Sequence, residues 1–326
     1  MHNDQRPSAS SPVHWDAQIW KGDSVWYQLT GGAENGKGAA QIWSSPDLEK
    51  WTYQKAIYSG DPGNYWELPY LIPFGEKNAL FVGKGNPYWI GEYDPTALTF
   101  TPDKDQPQSI DNGNYYSFNL HMTDDKGPNS KPRQLMHGWV TGPKSPTKTI
   151  PYWQGAHSIP RVITFVGDRL WQEPIPELQI LRAKHYTLTD LPKENLLKDI
   201  KGDALELKAT FASGTAKRFG IKLRVSPDEK AFTRVYFDTT FYTFGMDGQA
   251  HKNQPQKSYL RQGEDVTMHI FLDRSIVEAY VNGSAQTART FPSPEALGFD
   301  ICSEGGEART SGSSTTENGS PLQRMT

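Results

Sequence analysis

Short apolar runs separated by turn residues dominate the sequence up to about residue 182, with almost no helical periodicity. Ala17 to Thr30 contains two such runs around Lys21-Gly22-Asp23-Ser24, a pattern that predicts a β-hairpin with a polar tip. Leu71 to Phe74 and Ala79 to Val82 form a second pair of runs, separated by a Gly75-Glu76-Lys77-Asn78 turn. Strands this short and this closely spaced are typical of propellers, barrels and sandwiches, so we predict an all-β fold.

The second half of the chain has a different pattern, in which apolar and polar residues alternate strictly. Ala204 to Phe211 and Val266 to Leu272 both alternate in this way, which predicts strands with one buried and one solvated face. Val277 to Val281 is followed by Asn282-Gly283, the dipeptide most typical of a tight hairpin turn. We therefore predict that this half is a β-sandwich.

These patterns divide the chain into four segments. A charged stretch with one helical turn is predicted to link the two strand-rich regions, and a polar Ser/Thr/Gly-rich end is predicted to remain a loose tail because it buries too little to order itself. The predicted bounds are 1–182 for a propeller-type catalytic domain, 183–200 for the linker, 201–309 for the sandwich and 310–326 for the tail.

Two carboxylates in aromatic surroundings are the candidate catalytic groups. Glu67 follows Trp66 and precedes Pro69, and loss of solvation there favours the protonated form that a general acid needs. Asp16 follows Trp15 in a similar setting. Each carboxylate opens a strand-like run, and the pair suggests a site that handles a sugar. The alternative for Glu67 is a strand-edge glutamate whose neighbours only pack.

Composition excludes several classes of partner. The charges are nearly balanced, 34 Lys+Arg against 37 Asp+Glu, so the overall field does not attract nucleic acid. The single cysteine, Cys302, excludes an internal disulfide, and no His/Asp/Glu spacing predicts a metal or other cofactor. No run approaches the roughly 20 apolar residues that span a bilayer, and none resembles a signal peptide. We expect a soluble chain, exported or cytoplasmic. Ten Trp suit carbohydrate stacking or packing between blades.

Eight short motifs follow one another in order between about Trp15 and Glu307. They are Trp15-Asp16-Ala17, Ser44 to Leu48 with Trp51, Trp66 to Pro69, Asp111 to Tyr116, His137 to Trp139, Ser158 to Arg161, Gln172 to Leu178 with Leu181-Arg182, and Phe271 to Gly283. Together they resemble glycoside hydrolase family 32, the invertases, levanases and inulinases. The resemblance implies a five-bladed β-propeller with a central pocket, followed by a C-terminal β-sandwich.

The same resemblance implies the site residues. Trp66-Glu67-Leu68-Pro69 is similar to the family's Trp-Glu-Cys-Pro motif, whose glutamate is the acid/base. Trp15-Asp16-Ala17 is similar to its Arg-Asp-Pro motif, whose aspartate stabilises the transition state. Trp15 and Leu68 replace the family's arginine and cysteine, so the details of sugar binding differ. Residues expected to bind substrate are Trp15, Gln18, Trp66, Asp111, Tyr115, Trp139 and Arg161.

The family's nucleophile has no clear counterpart here. It is an aspartate in an Asn-Asp-Pro-Asn-Gly motif that lies well before the Arg-Asp-Pro motif. Asn3-Asp4 resembles it superficially, but the residues between Asp4 and Asp16 are too few for a four-stranded blade at about five residues per strand. We therefore expect that the chain lacks the N-terminal blade that carries the nucleophile.

Three functions are compatible with these observations. The first is an exo-acting hydrolase of β-fructofuranosyl linkages in sucrose, levan, inulin or fructo-oligosaccharides, working by a retaining two-carboxylate mechanism. The second is a non-catalytic fructan-binding protein, or an inactive fragment, without the nucleophile. The third is a related five-bladed arabinan-cleaving hydrolase, against which the sandwich signature argues. The motifs set neither linkage preference nor oligomeric state.

Overall fold

The structure, a computed structural model, is almost entirely β. It describes residues 15–123, 132–142, 155–188, 200–212, 214–250, 254–261, 263–310 and 314–319. Within these ranges the only helical element is a 3-10 turn, Pro176–Leu181, and none of them contains a helix that is apolar and long enough to cross a membrane. The all-β prediction is confirmed.

Two compact units divide the chain. The first unit consists of Met1–Ile110, Tyr116–His121 and Thr164–Arg169. The second unit consists of Asp111–Tyr115, Met122–Ile163 and Leu170–Thr326.

The first unit begins with a four-stranded antiparallel sheet in sequence order. Its first hairpin pairs Lys21 with Trp26 across a turn, as the pattern of apolar runs predicts. The strands are β1 Trp15–Lys21, β2 Trp26–Glu34, β3 Lys37–Ser45 and β4 Thr52–Gly60.

A second sheet of the same design completes the core of this unit. Its strands run β5-β6-β7-β8, with β9 also paired to β7. Residues of both sheets, among them Leu29, Ile42, Leu80 and Trp89, form one buried apolar cluster. The strands are β5 Tyr70–Phe74, β6 Lys77–Phe81, β7 Pro87–Asp94, β8 Thr99–Pro102 and β9 Gln108–Ser109.

A third sheet has residues in both units and runs β10-β11-β13-β14, with β12 paired to β11. Three consecutive up-and-down sheets of this kind are the arrangement of propeller blades, which agrees with the predicted architecture. The strands are β10 Tyr115–Thr123, β11 Arg133–Val140, β12 Ala156–His157, β13 Arg161–Val166 and β14 Arg169–Pro174.

The rest of the second unit is a two-sheet sandwich. One sheet runs β15-β26-β16-β21-β22-β23 with β25 beside β16, and the other runs β20-β19-β18-β17-β24. The strands are β15 Arg182–Leu188, β16 Ala204–Ala212, β17 Arg218–Val225, β18 Thr233–Asp238, β19 Thr243–Gly248, β20 Gln256–Lys257, β21 Val266–Asp273, β22 Ile276–Val281, β23 Ser284–Arg289, β24 Gly298–Glu304, β25 Arg309–Thr310 and β26 Ser314–Gly319.

The alternation and the hairpin predicted for the sandwich are both present. Side chains along β16 and β21 alternate between buried and accessible, and their buried members join one core with those of the facing sheet. Asn282 and Gly283 turn the chain between β22 and β23 with φ angles of 44° and 80°. Two positive φ angles are what a tight two-residue hairpin turn requires.

The predictions of a linker at 183–200 and a loose tail at 310–326 need correction, because each segment contains residues that form a strand. β15 occupies the start of the segment predicted as a linker, and β26 lies within the predicted tail. The two strands pair with each other, and β26 also pairs with β16. The prediction of disorder counted only the side-chain surface that the segment can bury, whereas backbone pairing to two neighbouring strands is open to polar residues as well.

An ion cluster on the sandwich predicts acid-dependent stability. Glu206 accepts two hydrogen bonds of 2.7 Å from Arg182 and a third of 2.6 Å from His269. Burial alone would raise the pKa of Glu206, but these bonds lower it from 4.5 to about 2. Because the folded-state pKa is depressed, the stabilisation is complete above about pH 4.5 and is lost as the pH falls toward 2.

The substitution Glu206→Gln should therefore lower the free energy of unfolding above pH 4.5 and converge with the wild type in acid. Urea unfolding between pH 3 and pH 7 measures this difference. Glu295→Gln, at an exposed glutamate of the same unit, is the control and should follow the wild type throughout. A difference between Glu206→Gln and wild type that did not change with pH would contradict the assignment.

Candidate active site

Asp16 is placed by a β-bulge in β1. Trp15 pairs with Gly31 and Ala17 with Thr30, so Asp16 is an extra residue opposite β2. Its φ of 40° is unusual for a residue with a side chain. Bulges of this kind re-aim one side chain and are frequent next to active sites. The Asp16 side chain is exposed in the first unit.

Glu67 lies in the segment between β4 and β5, which is fixed on both sides by backbone hydrogen bonds. The Trp66 amide donates to the Gly32 carbonyl, and the Gly83 amide donates to the Glu67 carbonyl, both at 2.8 Å. A Cβ on Gly31 would lie only 2.3 Å from the Trp66 carbonyl oxygen and 3.0 Å from the Glu67 Cα. Only glycine permits this approach, which holds the half-buried Glu67 close against β2.

The two predicted carboxylates occupy one neighbourhood of the first unit. Gly31, which touches the Glu67 backbone, is also the cross-strand partner of Trp15 beside Asp16. Burial raises the pKa of Tyr70, three residues after Glu67, and the negative charge of Asp16 adds to that rise. The structure therefore brings the segments that carry Asp16 and Glu67 together at Gly31.

The Glu67 carboxylate accepts a hydrogen bond from a tyrosine of β10. The Tyr116 hydroxyl donates to Glu67 Oε2 at 2.8 Å, within the first unit. Burial and the Glu67 carboxylate together raise the pKa of Tyr116 to about 12. The phenol therefore remains a donor across the neutral range, and it fixes the orientation of the Glu67 carboxyl.

Three residues at this site have a left-handed backbone conformation. Asp16, Leu68 and Ser117 have φ angles of 40°, 50° and 47°. Leu68 directly follows Glu67, and Ser117 directly follows Tyr116. A residue other than glycine in the left-handed region costs on the order of 1 to 3 kcal/mol, and such residues cluster where function needs a particular side-chain direction.

Neighbouring polar groups support the site. The Gln18 amide bonds to both the amide nitrogen and the carbonyl oxygen of Leu71, at 2.7 and 3.2 Å, and so ties β1 to β5. The Tyr70 hydroxyl donates to Asn119 Oδ1 at 3.1 Å. Gln18 was predicted to bind substrate. In the structure its amide connects two sheets, and contact with a sugar stays a prediction.

The arrangement is suited to acid–base chemistry with an oriented carboxyl and a nearby anion. Glu67 is half-buried with one oxygen held by Tyr116, and Asp16 is exposed on the neighbouring strand β1. Within the described ranges, no group of three or more His, Cys, Asp or Glu side chains is placed to hold a metal ion. Proton transfer and electrostatic stabilisation by carboxylates are what these side chains can supply.

The position of Trp66 differs from the one expected of a residue that contacts sugar. Its indole is 1% exposed and packs against Tyr58 and Trp89, with ring centroids 5.8 and 5.2 Å away. The indole nitrogen donates to the Pro62 carbonyl at 2.9 Å. The ring thus belongs to the apolar core of the first unit.

The prediction of substrate binding also fails to match the positions of three further residues. Asp111, Tyr115 and Arg161 are all enclosed in the second unit. The side chains of Arg161 and Asp111 are fully buried. Arg161 donates to Asp111 at 3.0 Å and to Glu278 at 3.1 Å, and its guanidinium lies 4.2 Å from the centroid of Tyr115. These residues form a buried ion cluster rather than a surface that a sugar reaches in this structure.

Sugar binding by the two remaining tryptophans, Trp139 and Trp15, stays a prediction. Trp139 in β11 is 41% exposed and so presents ring surface to solvent. Trp15 belongs to β1, but its side chain lies outside the described part of the structure, as does Asp4.

Sequence reasoning named Tyr115 and missed Tyr116, although both belong to the same motif. Successive residues of a strand point to opposite faces, so only one of the two can face Glu67. The adjacent tyrosines of this motif indicated that one of them could reach the site, but the sequence does not say which face of β10 meets the acid. Tyr70 and Asn119 carried no signal beyond their strand positions.

Comparison with known proteins identifies two family domains in this chain. Residues 4–174 match the description "Glycosyl hydrolases family 32 N-terminal domain". Residues 177–317 match "Glycosyl hydrolases family 32 C terminal". The second match extends through β15 and into β26, in agreement with the corrected sandwich boundaries.

Curated relatives are similar over much of this chain. A levanase of Bacillus subtilis is 27% identical over 312 residues, which cover 81% of this chain and 45% of the levanase. A fructan 1-exohydrolase w3 of Triticum aestivum is 30% identical over 241 residues, which cover 65% of this chain and 39% of the exohydrolase. The chain thus spans less than half the length of these relatives.

Solved structures share the fold. A sucrose-6-phosphate hydrolase from Lactobacillus gasseri superposes with a TM-score of 0.78 at 21% identity, covering 97% of this chain and 68% of that one. Fructan 1-exohydrolase IIa from Cichorium intybus gives a TM-score of 0.78 at 20% identity, covering 96% and 73%. These likenesses confirm the predicted architecture of a β-propeller followed by a β-sandwich.

Proposed function

Since the chain belongs to glycosyl hydrolase family 32, we propose that it hydrolyses β-fructofuranosyl linkages, with Glu67 as the acid/base and Asp16 as the stabiliser of the transition state. The observation that carries this proposal is the hydrogen bond from Tyr116 to Glu67, which holds the carboxyl in a segment that packs on Gly31, the cross-strand partner of Trp15 beside Asp16. Relatives named levanase, fructan 1-exohydrolase and sucrose-6-phosphate hydrolase support a fructose-containing substrate. Sucrose, levan, inulin and fructo-oligosaccharides are the substrates to test.

The chemistry follows from the charges that develop during glycoside cleavage. In a retaining mechanism a carboxylic acid protonates the leaving oxygen while a nucleophilic carboxylate about 5 to 5.5 Å away attacks the anomeric carbon. Glu67 would donate that proton and then, as a base, activate the water that releases the sugar. Asp16 would accept hydrogen bonds from ring hydroxyls that strengthen as positive charge develops on the sugar. We assign the nucleophile to no residue of this chain.

The substitution Tyr116→Phe tests the positioning of the acid. It removes only the hydroxyl that holds Glu67 Oε2. A hydrogen bond to a charged group contributes about 1.5 kcal/mol or more, so kcat for fructose release should fall about tenfold or more. Because Tyr116 holds the acid rather than the sugar, KM should stay near its wild-type value.

Steady-state kinetics on sucrose and inulin separate these two parameters. Tyr27→Phe is the matched control, since Tyr27 lies at the opposite end of the β1–β2 hairpin. An equal loss of kcat in both variants, or a change confined to KM, would show that Tyr116 does not position the acid.

A direct assay distinguishes the proposed hydrolase from its alternatives. The protein is incubated with sucrose, inulin, levan and arabinan, and released fructose and arabinose are measured. Fructose release supports the proposal. Calorimetric binding of inulin or levan without release supports a fructan-binding protein instead, and arabinose release without fructose supports an arabinan-cleaving enzyme.

A further inference from the structure

A loop of the second sheet makes an aromatic contact with the acid segment, residues 65–68. The loop spans residues 82–86 between β6 and β7, and the ammonium of its lysine, Lys84, lies 3.1 Å from the ring centroid of Tyr65. Both side chains are half-buried in the first unit. An ammonium over the face of an aromatic ring is attracted by the negative charge density of that face. The contact therefore restrains the Tyr65 ring, two residues before Glu67.

The same loop also holds the acid segment through its backbone. The Gly83 amide donates to the Glu67 carbonyl at 2.8 Å. A Cβ on Gly83 would lie 2.8 Å from the Leu68 Cβ, so the two chains pack without room for a side chain at that position. The loop thus contacts the acid segment at two places, the Tyr65 ring through Lys84 and the backbone at Glu67 through Gly83.

Tyr65 also adjoins the residue that orients the acid. Burial and the bonded Glu67 carboxylate raise the pKa of Tyr116 to about 12, and the Tyr65 phenol adds to that rise. Such a contribution requires proximity, because the interaction between two ionisable groups weakens with distance. A displaced Tyr65 ring would therefore disturb both the acid segment and the hydroxyl that holds its carboxyl.

The attraction between Lys84 and Tyr65 is not shared with an acidic partner. Lys77, in the same unit, is paired with Glu92 and Asp103. Across the described residues, no carboxylate is paired with the Lys84 ammonium. The ring of Tyr65 is therefore the group that determines where this ammonium lies.

Resting on the proposed function, we propose that Lys84 is a positioning residue, which holds Tyr65 and thereby fixes the direction in which Glu67 presents its carboxyl to the leaving oxygen. Proton transfer needs hydrogen-bond distance, and a misplacement of about 1 Å can cost about 10²-fold in rate. Lys84 acts in this role through Tyr65 and not through the sugar. It should therefore affect the rate of cleavage rather than the binding of substrate.

Steady-state kinetics on sucrose test the proposal with Lys84→Met, which keeps the length of the side chain and removes its charge. We expect kcat to fall about three- to tenfold, the effect that loss of a half-buried cation–aromatic contact supports, while KM stays near its wild-type value. Lys84→Arg should recover most of the loss, because a guanidinium also lies on aromatic faces. Tyr65→Leu should give a similar loss, and the double variant should lose no more than either single one, because both remove the same contact.

A second substrate distinguishes positioning of the acid from a general contribution to stability. The leaving group of a nitrophenyl β-fructofuranoside departs without needing a proton, so the placement of the acid matters less for its cleavage. Lys84→Met should therefore lower kcat/KM for this substrate by a smaller factor than for sucrose. A purely structural role would lower kcat/KM for both substrates by the same factor.

Controls separate the possible failures. Lys50→Met, at an exposed lysine of the same unit, should keep wild-type kinetics. Wild-type kcat in Lys84→Met, a change confined to KM, or an equal loss on both substrates overturns the role of Lys84 and leaves the proposed function intact. Failure of the wild-type protein to release fructose from either substrate overturns the proposed function together with this inference.

Discussion

Replacing Glu67 by glutamine is expected to lower kcat for fructose release by about 10²- to 10⁴-fold, the usual contribution of a positioned acid or base. The amide cannot donate the proton that the leaving oxygen needs, and it cannot activate water afterwards. Its shape is nearly that of the carboxyl group, and it can still accept the Tyr116 hydrogen bond through its oxygen. Binding of sucrose or inulin should therefore remain close to that of the wild type.

The measurement is an initial-rate assay of released fructose together with calorimetric binding of the same sugars. Glu76→Gln is the matched control, because Glu76 is exposed in the turn between β5 and β6. It should retain wild-type turnover. Wild-type turnover in the Glu67 variant would remove the acid/base assignment, and with it the mechanism proposed for this site.

The substitution Arg161→Met should lower the free energy of unfolding by about 3 to 5 kcal/mol, the range for removing one partner of a buried ion pair. Arg161 is the cation between Asp111 and Glu278, and it also donates to Thr287 at 2.6 Å. Burial raises the pKa of both carboxyls, and the guanidinium opposes that rise. Without it, two acidic groups remain enclosed with no positive charge beside them.

Urea unfolding followed by tryptophan fluorescence measures the loss. Arg261→Met, at an exposed arginine of the same unit, is the control and should unfold within about 0.5 kcal/mol of the wild type, as expected for an ordinary surface position. A loss for Arg161→Met as small as that of the control would mean that the cluster contributes little. The prediction of sugar contact by Arg161 would then merit a binding test.

Local sequence patterns were sufficient to predict much of the fold. The hairpin of β1 and β2, the alternation along β16 and β21, and the Asn282-Gly283 turn all depend on residues within a few positions of one another. Such patterns act through the two-residue period of a strand and the φ angles of a turn, which the residues themselves impose. The linker and tail were harder to predict, since β15 pairs with β26 and β26 pairs with both β15 and β16, and these partners are far apart in the sequence.

The site shows the same division. Ordered motifs placed Glu67 and Asp16 in one neighbourhood, and the structure brings their segments together around Gly31. The same motifs assigned Arg161 to sugar binding, whereas it is buried with Glu278, 117 residues away along the chain. A motif records which residues recur together, and it does not record whether they face a cavity or the interior.

The sequence by itself determined the all-β class, the order of the strands and the two carboxylates on which the proposed chemistry depends. Only the tertiary structure decided that Tyr116 rather than Tyr115 holds Glu67, and that Lys84 stands over Tyr65 beside it. The reason is physical. Strand propensity and turn geometry act between near neighbours in the chain, whereas the direction a side chain faces is chosen by packing between strands far apart in sequence.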